Sequence, residues 1–279
     1  MDYSPGIHSY GAIAMDMIWP TRRSDIDPVA LHAADERDGP GGRPWVAVNM
    51  IATVDGAAAD AHGLTGDLGG AGDRAVFSAL RGIADVIMAG SGTVVAEDYG
   101  PSRPRSEIVA QRTARGQEPR PRIAVVSASL GIEPGSRLFR EATDDVRPIV
   151  LTAARADPAR RQALEAVADV HVAGEDQVDW PTAVDLLGAL GARVILCEGG
   201  PRTNAGLIAH DILDEMCLTI APALVGGPAT RIVHGRRPAA PRGLVLDRVL
   251  IDDEGFLFLR YVRDRSVSGA WGPSASSTG

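Results

Sequence analysis

From Pro44 onward the chain alternates between short unbroken apolar runs and segments whose apolar residues recur every three or four positions. "PWVAVNMIATVDG" is a strand-like run closed by Asp55-Gly56. In "GDRAVFSALRGIA", Val76, Ala79, Leu80 and Ile83 fall on one face at helical spacing. "DVIMAG", "PRIAVVSAS", "RPIVLTAA" and "ADVHVAG" are further apolar runs of strand length. "DPARRQALEAVA" and "DWPTAVDLLGALGA" are helices between or after them, the second with Pro181 in its first turn and Gly191 as its stop. "RVILCE", a short helix from about Thr203, and "DEMCLTIAPALVGG" follow. The closing "GLVLDRVLIDDEGFLFLRYVR" reads as two strands around Asp-Asp-Glu-Gly, a hairpin.

Short apolar strands alternating with helices predict an α/β protein with a mostly parallel central sheet covered by helices on both faces. The hairpin adds antiparallel strands at one edge. Residues 1–43 are turn-rich and read as an N-terminal arm and linker, residues 44–263 as the folded domain. Residues 264–279, rich in Ser and Gly, read as a flexible tail. In such sheets ligands lie at the carboxyl ends of the strands, which is where chemistry is to be sought.

Composition narrows the classes. The chain has 279 residues, 45% of them apolar, enough for a sizeable core. A net charge of −8 argues against a nucleic-acid or anionic-membrane binder, so a phosphorylated ligand must be held by local devices. No apolar run reaches the ~20 residues of a membrane span, and no secretory leader is evident. A soluble cytoplasmic protein is expected. The two cysteines, Cys197 and Cys217, sit in apolar runs and read as reduced core residues, and the six histidines are scattered, so no metal site is expected.

Three strand ends carry unusual residues. Asp55 follows the first strand: an Asp-Gly turn on one reading, a carboxyl orienting or protonating a substrate on the other. Gly90-Ser91-Gly92 ends the "VIMAG" strand before a helix near Thr93; it is either a structural turn or a place where backbone approaches an anion. "CEGGPRTNAG" ends a buried strand in Glu198, with Gly199-Gly200 permitting a tight bend or an unusual peptide. Thr203 or Asn204 is placed to cap the helix that follows. Glu198 is either a solvated strand-end acid or an acid facing the cleft. No G-x-S-x-G elbow or Cys/His nucleophile pair is present.

Together "ATVDG", "AGSGTVVAED" and "CEGGPRTNAGLIAHDILDEMCLTIAPALVGG" resemble the pyrimidine reductase of riboflavin biosynthesis, over roughly residues 44–263. The resemblance is to the reductase domains of bifunctional deaminase–reductases and their stand-alone relatives, above all the stand-alone actinobacterial type. It implies a dihydrofolate-reductase-like fold, NADPH as cofactor, a homodimer, and reduction of 5-amino-6-(5-phosphoribosylamino)uracil to its ribitylamino product by hydride transfer to C1′. Two alternatives stay open: an NADPH-dependent dihydrofolate or pterin reductase, and a non-catalytic NADP-binding protein. The zinc motif of the deaminase half has no counterpart here.

Carried over position by position, the resemblance implies Asp55 and Glu198 as catalytic residues. Ala52, Thr93, Glu97, Ser127 and the run Gly199, Gly200, Pro201, Arg202, Thr203 and Asn204 match cofactor positions. Asn49, Thr65, Arg74, Arg81, Arg103 and Glu198 match substrate positions. Ser127 and Arg155 are candidate partners of a cofactor 2′-phosphate. Glu97 stands where relatives carry Asp. "EDYGPSRPR" replaces the relatives' "DDPxLTxR", so Arg103 or Arg105 takes the place of the phosphate-gripping arginine. "TGDLGGAG" lacks the aromatic residue of many relatives.

Overall fold

The computed structural model describes residues 14–59, 65, 68–235 and 237–265. The start of the arm (1–13) and most of the expected tail (266–279) lie outside the described residues.

The elements run β1 (Met15–Trp19), α1 (Pro28–Ala33), β2 (Trp45–Thr53), α2 (Ala71–Ile83), β3 (Val86–Gly90), α3 (Ser91–Ala96), α4 (Ser106–Ala114), β4 (Arg122–Val126), α5 (Arg137–Arg140) and β5 (Ile149–Thr152). They continue with α6 (Pro158–Glu165), β6 (Asp169–Val172), α7 (Trp180–Ala189), β7 (Val194–Cys197), α8 (Pro201–Ala209), β8 (Glu215–Ala221), β9 (Leu244–Asp252) and β10 (Leu257–Arg263). All strands join one sheet in the order β1-β9-β10-β8-β2-β7-β3-β4-β5-β6. From β8 to β6 every pairing is parallel. β10, β9 and β1 pair antiparallel at the other end.

This is the α/β arrangement that the alternating runs predict, with the expected hairpin as β9–β10. One buried apolar cluster packs on each sheet face, Leu80, Ile87 and Val125 in the first, Val46, Met88 and Leu187 in the second. Cys197 and Cys217 are buried free thiols, and burial pushes Cys197 up to about 12.

Part of the N-terminal arm is built into the sheet. β1 pairs with β9, and α1 starts at the Asp27 cap, whose carboxylate accepts from the Val29 amide. Below α1, Arg37 and Arg260 both donate bidentately to the fully buried Glu215 on β8 at 2.9–3.1 Å. Trp45 adds its indole N–H to Glu215 at 3.0 Å. Burial alone would raise this carboxyl, but Arg37 and Arg260 hold it well below its ordinary range. Arg248 binds Asp35 and donates to His32 Nδ1 at 3.1 Å. His32, Asp35 and Glu215 are the acidic and imidazole group closest to a metal-ligand geometry among the described residues, but arginines occupy their oxygens.

α2 is closed at its C-terminal end by buried Arg112, which donates to the carbonyls of Gly82 at 3.0 Å and Ala84 at 2.6 Å. Arg115 adds a bond to Gly82 O at 2.9 Å. These donors satisfy carbonyls that the helix cannot pair itself and suit the negative end of its dipole. They fix the last turn, which carries Arg81.

Candidate active site

A cleft of about 810 Å³ opens where the carboxyl ends of β2 and β7 meet α2, α3 and the segment after it. β2 lays Asn49 into its floor, and the end of β7 delivers Glu198, which is only 7% exposed. One wall is a stripe of α2. Asp73, Phe77 and Arg81 recur every four residues, so they share one helix face, and all three line the cleft. The core stripe Val76, Ala79, Leu80 and Ile83 faces the other way, as the periodicity predicts.

Glu198 is the centre of the polar cluster. Arg81 donates to it bidentately, Nε to Oε1 at 2.6 Å and Nη2 to Oε2 at 2.7 Å. The Tyr99 hydroxyl donates to Oε2 at 2.6 Å. The Arg81 guanidinium also lies 4.4 Å from the Phe77 ring centroid and 5.5 Å from that of Tyr99. Burial opposes its charge, but Glu198 more than offsets this and keeps the Arg81 proton bound more tightly than usual. Burial, then Glu198, push the Tyr99 phenol well above its ordinary value, so Tyr99 is a neutral donor. Charge-assisted bonds in so dry a place hold the side chains in one arrangement.

The other wall is the glycine bend. Gly199 has φ +90°, and the Gly199–Gly200 peptide is cis. The Gly90 amide donates to Gly199 O at 2.8 Å, which joins the ends of β3 and β7. A methyl group on Gly200 would lie 2.7 Å from Thr93 Oγ1, and one on Gly90 would lie 2.8 Å from Thr203 Oγ1. The two strand–helix turns therefore touch through glycines. A side chain on Gly92 would meet open space.

Most of the anticipated residues gather here. Asn49, Thr65, Arg74, Arg81, Arg103, Thr93, Glu97, Glu198, Gly200 and Pro201 line the cleft. Glu97 accepts from the Thr65 hydroxyl at 2.8 Å and amide at 3.2 Å. Arg103 reaches Glu141, while Arg105, at the start of α4, is not part of the lining.

Others are elsewhere. Asp55 is exposed and turned away, its carboxylate accepting from the Thr53 hydroxyl and from the amides of Val225 at 3.1 Å and Gly226 at 2.7 Å. Led by the Thr53 bond, these donors hold it below the ordinary carboxylate range. Asp55 sits in an Asp-Gly turn, with Gly56 at φ +88°. Ala52 is buried in β2, and Ser127 is buried with its hydroxyl accepting from Gly131 N at 3.1 Å. Arg155 is exposed and paired with Asp176.

The expected caps also shift. α8 begins at Pro201 with Gly200 as N-cap and no side-chain cap, because proline at the first helical position sets the entry. Thr203 and Asn204 therefore sit inside the helix, buried, Asn204 donating to Ile232 O at 2.8 Å. Arg202 is exposed on its first turn. α3 begins at Ser91 rather than near Thr93.

Tyr99, Phe77, Asp73 and Arg137 also line the cleft without having been singled out as site residues. Phe77 carried a signal, being an aromatic off the core stripe of an amphipathic helix. Tyr99 and Phe77 bring to the cleft the aromatic faces that "TGDLGGAG" lacks.

A mostly parallel α/β sheet thus carries a buried acid–arginine–tyrosine cluster beside a glycine bend at its carboxyl edge, the fold and site of a reductase class that the comparisons identify. The chain belongs to the RibD C-terminal domain family, whose model matches residues 44–256. It is 29% identical to the 2,5-diamino-6-ribosylamino-4(3H)-pyrimidinone 5′-phosphate reductase of Archaeoglobus fulgidus, over 66% of this chain and 83% of that one. Identity to the protein of the same name from Methanothermobacter thermautotrophicus is 32%, over 68% and 82%. Among solved structures, a pyrimidine reductase-like protein from Corynebacterium diphtheriae superposes with a TM-score of 0.73 at 29% identity, covering 80% of this chain and 92% of that one. No helix among the described residues is long and apolar enough to cross a membrane.

Proposed function

We propose that this chain is an NADPH-dependent reductase that converts a 6-ribosylaminopyrimidine 5′-phosphate into its ribitylamino product. The observation that carries the reading is one cleft lined both by Gly200 of the glycine bend and by the Glu198–Arg81–Tyr99 cluster.

The glycine side fits a dinucleotide. Gly200 and Gly90 let the two strand–helix turns pack against each other's threonines, while Gly92, in the cleft lining, leaves open space beside its backbone. The first turn of α8 leaves amide N–H groups without helical partners, which suits a pyrophosphate. When bound there, the nicotinamide supplies the hydride. The chain's own residues do the rest. Phe77 and Tyr99 offer flat faces to the substrate. Arg81 and Arg103, with Arg137, offer cations to its phosphate. Glu198 holds Arg81 and Tyr99 in register, and a substrate anchored by both ends is aligned for transfer.

The anticipated substrate is 5-amino-6-(5-phosphoribosylamino)uracil; the archaeal relatives above are named for the 2,5-diamino compound. The test is NADPH oxidation by purified protein with each of the two, dihydrofolate serving as control. Turnover is expected with at least one ribosylaminopyrimidine and none with dihydrofolate. No turnover of either ribosyl compound at saturating NADPH refutes the reading. A homodimer, implied by the family resemblance, is checked by sedimentation of the same sample.

A further inference from the structure

The α2 stripe gives the cleft a chemical direction. Arg81 lies in the last turn, and Arg103 and Arg137 line the same cleft. Asp73 lies in the first turn, and the 1.5 Å rise per residue places it about 12 Å from Arg81 along the helix axis. Phe77 sits between them. A ligand lying along this stripe meets Arg81, held by Glu198, with Arg103 and Arg137 at one end, a ring in the middle, and Asp73 with Arg74 beside it at the other.

The acid end is built as well. Asp73 is half-buried, and its carboxyl is hydrogen-bonded by the hydroxyl of Thr219, a 2%-exposed residue of β8. Two charged groups face it. Arg74 is its neighbour on α2, and Asp252 comes from the end of β9. Asp252 points Oδ2 at the first turn of α2, where a methyl on Gly72 would lie 2.2 Å from it, and this buried oxygen has no hydrogen-bond partner among the described residues. Burial first, then Asp252, raise the Asp73 carboxyl above its ordinary value, against the Thr219 bond and Arg74. Among the described residues the cation acting on Asp73 is Arg74, which acts through its charge, whereas Arg81 is hydrogen-bonded to Glu198 at both oxygens. Such a carboxylate is stabilised by a ligand that brings N–H donors.

We propose that Asp73 reads the C2 edge of the pyrimidine, accepting hydrogen bonds from a 2-amino group and the adjacent ring N–H and thereby selecting a 2-aminopyrimidinone over its 2-oxo counterpart. This rests on the reductase reading above. In the 2-amino compound two neighbouring donors match two carboxylate oxygens. In the 2-oxo compound the C2 oxygen is an acceptor, and it meets another acceptor. The phosphate then falls at the arginine end of the stripe, and the ribosyl carbon that is reduced lies between them, beside Phe77 and Asn49.

The experiment measures kcat/KM for the 2,5-diamino-6-ribosylamino-pyrimidinone phosphate and for its 2-oxo analogue with wild-type protein and with Asp73→Asn. Wild type is expected to favour the 2-amino substrate by about 100-fold or more, since a site built around a substrate donor rejects the analogue lacking it. Asp73→Asn, which can donate as well as accept, brings the ratio close to one, mainly by loss on the 2-amino substrate. The wild-type ratio also falls as pH is lowered and the carboxyl takes its proton, which decides the matter without any variant. An unchanged ratio in an active Asp73→Asn protein, or a wild-type ratio independent of pH, overturns the role of Asp73 and leaves the reductase reading standing. No turnover of either substrate by wild type overturns both.

Discussion

His32 is the most exacting test of how the arm is held. It is 3% exposed, sits in the last turn of α1 and accepts from Arg248 through Nδ1. Burial, then the charges of Arg248 and Arg37, lower it from 6.5 to about 3. Unfolding releases it to its ordinary value, so between these two values the unfolded chain binds a proton that the folded chain refuses. Stability contributed by neutral His32 is therefore complete above about pH 6.5 and is lost as pH falls towards 3. Each pH unit within that window is worth about 1.4 kcal/mol. From pH 7.5 to 5.0 the chain crosses about one and a half such units, a loss of about 2 kcal/mol from this one side chain. Any folded-state value below 4 yields the same figure. The assay is urea denaturation at both pH values, for wild type and for His32→Asn, which accepts from Arg248 but does not titrate. The variant is expected to be less stable at pH 7.5 and to lose about 2 kcal/mol less than wild type on acidification. Equal losses in the two proteins would show that His32 is protonated in the fold or that the arm is open.

Gly200→Val places a branched side chain where even a methyl meets Thr93 Oγ1 at 2.7 Å, and it should weaken NADPH binding about 10-fold or more by calorimetry; undiminished affinity would mean that the bend faces elsewhere. Tyr99→Phe removes a 2.6 Å bond to a carboxylate, a loss of about 1.5–3 kcal/mol, and should lower kcat/KM by about 10-fold or more with little change in NADPH affinity. Asp55→Asn should change kcat less than about 3-fold, because its carboxylate serves the 222–227 loop and not the cleft, while weakening that loop's attachment; a hundredfold fall in kcat would return Asp55 to the chemistry.

Much of the fold was legible because local pattern and tertiary demand agree. Runs such as "VIMAG" and "RVILC" are buried on both faces, so they carry no alternation and read as parallel strands. Glu198 and Gly199-Gly200 stood out because an acid and two glycines are costly at the end of such a strand unless the bend is needed. What stayed hidden depends on pairings across long sequence distance. β1 lies in a turn-rich arm, and its partner β9 is more than 200 residues away. Tyr99 finds Glu198 across 99 positions, and no local signal marks it. Asp73 in the first turn of α2 looks like an ordinary helix-dipole acid until Thr219 and Asp252 are seen beside it. Asp55 is ambiguous in the opposite sense, since a motif that suits a site also suits a turn.

The arm and the cleft are parts of one sheet face. Along β8, Glu215, Cys217 and Thr219 alternate onto the same side, because strand side chains repeat every two residues. Glu215 anchors the arm through Arg37, Cys217 donates its thiol proton to Glu215 at 3.3 Å, and Thr219 holds Asp73 in the cleft. A pocket of only about 10 Å³, lined by His32, Asn49, Cys217, Thr219 and Arg248, lies between the two ends. The register of β8 is set by its pairing with β2 on one side and β10 on the other. The arm's ion network and the acid end of the cleft both draw on that one strand face, Glu215 for the first and Thr219 for the second, and His32 and Thr219 line the same small pocket between them.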